Sequence, residues 1–416
     1  MRRLLPLVCT LACLLSMAEA APPAVRPAPR FHTWYMINCE EESTWKKDFA
    51  DMKALGFDCV ALWNVVPEGI EGRWDFTEIV RDVPLTKRAV QAAHEAGLGA
   101  FLGIWNPKNM GLVPQAHRPI SNTGETPNRP NIYSERWQRE YWVPLLQGIR
   151  RDFAACPGYA GIVFDDAMSC TDDASVLYSY GPEDEARFAD FLERTYGSVA
   201  SLNLQYRRHD APWTSFADVK PPRTAAGSAK LWKDWMLARG EWSRRFAAAT
   251  RAALGPESEI IYIDMDYYID RNAMTYGHDI AGMVPSFDRY GPYIAQDFAQ
   301  MPEADLLRHV RRVIAEQRAV CPPEKLHFCT WVNGQTKLEP MPKELIRKVV
   351  KEIMDAGIHD ITFYVYKVHD WRITGTDGDR GGKSNRPPLE AISIKFNPAM
   401  TDALREVMAE SRAAAR

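Results

Sequence analysis

The sequence has no apolar run long enough to cross a bilayer, almost no net charge and few cysteines for its length. A spanning helix needs about 20 apolar residues, and the longest mostly apolar stretch, Leu4 to Met17, falls short of that. A formal net charge of −3 gives no electrostatic reason to expect a nucleic-acid partner or an anionic membrane surface. There are 8 cysteines in 416 residues. None stands in a CxxC pair and no His-rich run accompanies them, so no zinc motif is legible and no cofactor or metal is called for.

The N-terminus reads as an address. Arg2 and Arg3 precede the apolar stretch, and Ala18-Glu19-Ala20 supplies a small-x-small cleavage pattern. Residues 1–20 are therefore expected to be a signal peptide, with export to a periplasm or the exterior. Cys13 after Leu11-Ala12 is the one feature that would suggest a lipoprotein signal instead. The Pro-rich stretch 21–30 reads as a linker, and 31–416 as one folded unit. Cys39, Cys59, Cys156, Cys170, Cys321 and Cys329 remain after cleavage, an even count that invites disulfides in an oxidising compartment. The expected strand positions separate these cysteines along the barrel axis, so few bridges or none are expected.

Strand-like and helix-like segments alternate through the chain. Strands are expected at 31–38, 59–65, 98–106, 159–166, 259–267, 283–290, 325–333 and 360–367. Helices are expected over 44–56, 85–97, 134–155, 303–319, 343–356 and 399–414. Leu55-Gly56, Ala96-Gly97 and Ala356-Gly357 each read as a helix end feeding a strand. Such alternation implies parallel strands covered by helices. Eight units favour an α/β fold closed as a (β/α)8 TIM barrel, with a helical elaboration after strand 4 over Met168 to Ser258.

Reactive groups of this fold sit at the C-terminal strand ends, and acids, amides and indoles crowd those positions here. They are Trp63-Asn64, Trp105-Asn106, Asp165-Asp166, Asp264 with Asp266, Asp288-Arg289-Tyr290, Trp331 with Asn333, and Tyr366. Alternation along 261–266 puts Tyr262, Asp264 and Asp266 on one face, expected to be inward. The same test sends Tyr364 and Tyr366 inward, with Ile361, Phe363 and Val365 outward. Paired carboxylates split their pKa values, making one a general acid, and glycosidic cleavage needs that combination. Asp165, Asp166, Asp264, Asp266 and Asp288 are the catalytic candidates. Trp63, Asn64, Trp105, Asn106, Tyr290, Trp331, Asn333 and Tyr366 are the sugar-binding candidates. Blander roles compete: loop capping or an Arg partner for Asp165-Asp166, a structural network or a calcium site for the acids, and core packing for each tryptophan.

Several ordered segments carry a resemblance. Gly56-Phe57 to Trp63, Glu68 to Phe76, Phe191 to Asn203, Trp213 to Asp218 with Pro221-Pro222, and Ser286 to Tyr290 resemble glycoside hydrolase family 42, the β-galactosidase-like barrels. That resemblance implies an Asn-Glu acid/base at the end of strand 4 and a nucleophilic Glu at the end of strand 7. The chain departs at both, with Asp165-Asp166 and Trp331-Val332-Asn333; the next acid is Glu339. Separately, Ile162 to Asp166 resembles the paired aspartates of glycoside hydrolase family 84, the β-N-acetylglucosaminidases. There the substrate's acetamido group attacks, the first Asp orients it and the second is acid/base. The expectation is an exported glycoside hydrolase acting on an oligosaccharide or glycoside, with Asp166 as acid/base and Asp165 as partner. A barrel that binds glycans without cleaving them is the reading from another class. Oligomeric state is left open.

Overall fold

The computed structural model describes residues 28–37, 41–63, 82–104, 113–164, 176–265, 277–294, 301–331, 341–367 and 393–414, without the side chains of Met265, Tyr293 and Trp331. Eight strands form a closed barrel in chain order: β1 Arg30–Met36, β2 Cys59–Trp63, β3 Gly99–Ile104, β4 Tyr159–Phe164, β5 Glu259–Met265, β6 Arg289–Ile294, β7 Phe328–Trp331 and β8 Asp360–Lys367. Every neighbouring pair is parallel, including the β1–β8 seam. Parallel order sends all eight C-terminal ends to one mouth.

The outer layer comprises helices α1 Glu42–Leu55, α2 Val83–Glu95, α3 Val143–Phe153, α4 Pro182–Tyr196, α5 Val199–Gln205, α6 Ala229–Leu254, α7 Glu303–Val320, α8 Lys343–Asp355 and α9 Pro398–Ala414. Helix α1 shows why these segments are helical. Trp45, Phe49 and Met52 recur at helical spacing and are buried. Gly56 then ends the helix at φ 112°, a left-handed conformation that a side chain would strain. Helices α4 to α6 are the elaboration after β4. Their buried residues Phe188, Leu202 and Trp235 belong to the same apolar cluster as the helix-facing side of the barrel. Among the described residues no helix is long and apolar enough to cross a membrane.

A second, smaller cluster fills the barrel interior: Trp34, Met36, Cys59, Ala61, Trp63, Phe101, Val163, Ile261, Ile263, Cys329, Tyr364 and Val365. This settles which face of each strand points inward, and it reverses the expectation for β5. Ile261 and Ile263 fill the interior, whereas Tyr262 packs on Phe287 and His278 in the outer layer. On β8 Tyr364 points inward, but the register against β1 shifts between Phe363 and Lys367. The alternation breaks there, and Tyr366 faces outward with Tyr35.

The end opposite the mouth is closed by charge. Arg30 Nε donates to Asp360 Oδ2 at 2.6 Å and its Nη1 donates to Glu259 Oε2 at 2.7 Å. Arg289 Nε lies 3.4 Å from Glu259 Oε1. Inside that ring, His327 Nδ1 sits 2.6 Å and His32 Nε2 2.9 Å from Asp360 Oδ1. Burial pulls the His32 imidazole down, but the Asp360 charge and the adjacent Cys59 outweigh it and hold the pKa at about 9. Burial likewise pushes Asp360 up, yet the two histidines keep it well below the usual carboxylate range.

Candidate active site

The mouth is built from strand ends. β2 stops at Trp63, β3 at Ile104, β4 at Phe164, β5 at Met265, β7 at Trp331 and β8 at Lys367. Directly after them in the chain come Asn64, Trp105-Asn106, Asp165-Asp166, Asp266 and, two residues past Trp331, Asn333. These seven candidates lie outside the described residues, as does the Trp331 side chain.

Beneath the mouth is an aromatic floor. Trp34 and Trp63 have ring centroids 4.6 Å apart, and Tyr364 meets Trp34 edge-on at 4.6 Å. Trp63 lies over Gly103, where an added Cβ would fall 2.2 Å from the indole; β3 needs glycine there to admit the ring. Trp63 is fully buried, so it acts as floor packing and not as an exposed platform. Trp34 carries no signal in the sequence that sets it apart as a site residue. It is a mid-strand indole away from the strand end, and only its place opposite Trp63 and Tyr364 gives it a role.

Four further candidates need correction. Asp264 is fully buried and faces the helix layer, with Oδ2 3.2 Å from His278 Nε2. His278 Nδ1 in turn lies 3.2 Å from the Tyr133 hydroxyl, and Tyr262 Oη is 3.4 Å from Nε2. This is a polar network between barrel and helices, because β5 is covered on both faces and polarity alone does not mark the inner one. Asp288 precedes β6 and so lies at the end opposite the mouth. Its Oδ2 accepts the Ile260 N–H at 2.7 Å and pairs with Arg251. Tyr290 is the second residue of β6, buried in the outer cluster. Burial, then the Asp264 charge, hold its hydroxyl well above the ordinary tyrosine value. Tyr366 is also buried in the outer layer, where burial and then Asp48 raise its hydroxyl pKa.

Asp48 is a functional-looking acid that the sequence pattern hid inside α1. It is fully buried, accepts from the Tyr35 hydroxyl at 2.8 Å, pairs with Lys395 and lies 3.9 Å from Lys367. It ties the end of β8 and the turn Ile394–Phe396 to the helix layer.

No family model matches the chain, and no curated protein matches it in sequence. Solved structures do. The β-galactosidase from Bacillus circulans sp. alkalophilus superposes with a TM-score of 0.67 at 12% identity, over 92% of this chain and 56% of that one. The β-galactosidase from the psychrophilic Marinomonas ef1 gives 0.66 at 12% identity, over 92% and 59%. The catalytic domain of β-amylase from Paenibacillus polymyxa gives 0.60 at 13%, over 82% and 93%. The shared fold is the (β/α)8 barrel. At these identities the likeness extends to fold alone, and the chain spans less than three-fifths of either β-galactosidase.

Proposed function

We propose that this protein is an exported glycoside hydrolase whose chemistry lies at the C-terminal mouth of the barrel. The observation that carries the reading is the closed parallel order, which delivers β2, β3, β4, β5, β7 and β8 to one end. The chain places its acids, amides and indoles immediately after those strands. That proteins of similar fold are named β-galactosidase and β-amylase favours a carbohydrate substrate.

Asp166 is the proposed general acid/base. Asp165 is its partner or orients the substrate. With Asp264 facing the helices and Asp288 at the opposite end, Asp266 is the remaining reserve for a second carboxylate. Two carboxyls close together cannot both ionise cheaply, so one keeps its proton for the leaving oxygen. The resemblance to glycoside hydrolase family 42 supports the barrel and its sugar chemistry. The absence of a Glu in Trp331-Val332-Asn333 argues against that family's enzyme nucleophile. This same departure favours a second reading, a substrate-assisted reaction on an acetamido sugar like that of glycoside hydrolase family 84.

The test is a panel of aryl glycosides with and without a 2-acetamido group, assayed on wild type and Asp166→Asn. Turnover confined to acetamido sugars selects the substrate-assisted reading. Turnover of plain glycosides selects the two-carboxylate one. Glycan binding with no turnover on any substrate replaces hydrolysis with recognition. Export is tested by sequencing the N-terminus of the mature protein, expected at Ala21.

A further inference from the structure

One backbone position on the mouth side of the barrel is strained. Ser179 takes φ 78°, in the left-handed region, which a residue with a Cβ keeps only where its surroundings hold it there. The other non-glycine in that region among the described residues, Arg207, is exposed in the turn just past α5, an ordinary place for it. Ser179 is fully buried, and glycine would take the same backbone without steric strain. The side chain shows what glycine would lose. Ser179 Oγ donates to Asn131 Oδ1 at 3.1 Å, and Asn131 Nδ2 donates to both Asp184 oxygens at 3.2 Å. Asp184 Oδ2 also accepts the Gly181 N–H at 3.1 Å.

These bonds close a clamp between two stretches of chain. Residues 113–134 lie between the end of β3 and the helix beginning at Glu135, and 176–181 lie between the end of β4 and α4. Both stretches connect a strand to its following helix, which puts them on the mouth side. They pair as antiparallel neighbours. The Asn122 N–H donates to the Leu177 carbonyl at 2.8 Å, the Tyr180 N–H donates to the Ile120 carbonyl at 2.9 Å, and Ser121 bridges Tyr178. The buried Arg239 donates to the Tyr178 carbonyl, and the Arg129 guanidinium lies 4.6 Å from the Tyr178 ring centroid.

Chain order says what the clamp holds. The connection that begins with Trp105-Asn106 returns through 113–134, and the one that begins with Asp165-Asp166 returns through 176–181. We propose that Ser179, Asn131 and Asp184 are positioning residues for the hydrolysis, fixing the return of the Asp165-Asp166 connection against that of the other. The role rests on the reading of Asp166 as general acid/base. Stability alone favours glycine at 179. A strained serine tied to a second connection favours a single geometry, and rate falls steeply when reacting groups are displaced by as little as about 1 Å.

The test sets Ser179→Gly beside Asp166→Asn on one glycoside, with kcat and KM measured per folded molecule. Glycine adopts the left-handed backbone freely, so Ser179→Gly is expected to fold with a Tm near that of wild type. Its kcat is expected to fall by roughly 10- to 100-fold with KM little changed; a side chain that only supported the fold would leave kcat untouched. Asn131→Ala breaks both arms of the clamp and is expected to lose kcat similarly, at a lower Tm. Wild-type kcat in Ser179→Gly, or in an Asn131→Ala that folds, overturns the positioning role where Asp166→Asn has lost turnover, and leaves the hydrolase reading intact. Full turnover in Asp166→Asn, or a wild type that cleaves no glycoside, overturns that reading, and the positioning role falls with it.

Discussion

The two ends of this barrel are built on different principles. At the closed end, Arg30, Glu259, Arg289, His327 and Asp360 are each engaged by an oppositely charged or hydrogen-bonding neighbour. At the mouth, the described structure ends in an aromatic floor, and the chain places paired carboxylates directly beyond it. A charge that already has a buried partner has been committed to stability, and breaking such a pair costs more than it ever contributed. Groups at the C-terminal strand ends of this fold are the ones that face a substrate. Asp264 and Asp288 illustrate the sorting. Both looked catalytic by residue type, and both turned out to be bound into the frame.

The contrast can be broken by substitution, beginning with the largest effect. Asp360→Asn removes the carboxylate shared by Arg30, His32 and His327, and stability is expected to fall by about 3–5 kcal/mol, read by chemical denaturation. Activity per folded molecule should be unchanged. Next is Asp184, which burial raises to about 6 despite hydrogen bonds from Asn131 and Gly181. Its folded pKa exceeds its unfolded one, so its stabilising contribution is complete below about pH 3.8 and is lost as pH rises through 6. Asp184→Asn should therefore flatten the pH dependence of stability across that window, by up to roughly 3 kcal/mol. Asp288→Asn should cost about 1 kcal/mol, because its bond to the Ile260 N–H is structural but half in solvent. The smallest effect is expected for Glu42→Gln. Its pair with Arg88 lies at the surface, with both side chains about half exposed, and a Tm shift beyond experimental scatter would contradict its surface character.

Much of the frame was legible in the chain. Seven of the eight strands and the six barrel helices fall where periodicity and helix-ending glycines put them, because parallel strands and amphipathic helices carry separate periods. The sixth strand was misplaced. The apolar run from Met283 contains Pro285 and folds as a helical turn, whereas the true strand Arg289–Ile294 contains Gly291-Pro292, which reads as a breaker. That error carried Asp288 and Tyr290 to the wrong end. Asp264 failed for another reason. Strands covered on both faces do not announce their inner one, and here isoleucines fill the barrel while the acid meets His278 outside. The His32–His327–Asp360 cluster was invisible in sequence because its members are joined only by barrel closure.

The account rests on chemistry at the mouth, so the deciding measurement is kcat/KM for Asp166→Asn beside Asp264→Asn, on one glycoside cleaved by wild type. General acid catalysis is worth about 100- to 10,000-fold. The account predicts a loss of that order for Asp166→Asn with wild-type Tm, and near-normal turnover per folded molecule for Asp264→Asn. Full activity in Asp166→Asn, or its loss in a folded Asp264→Asn, would contradict it.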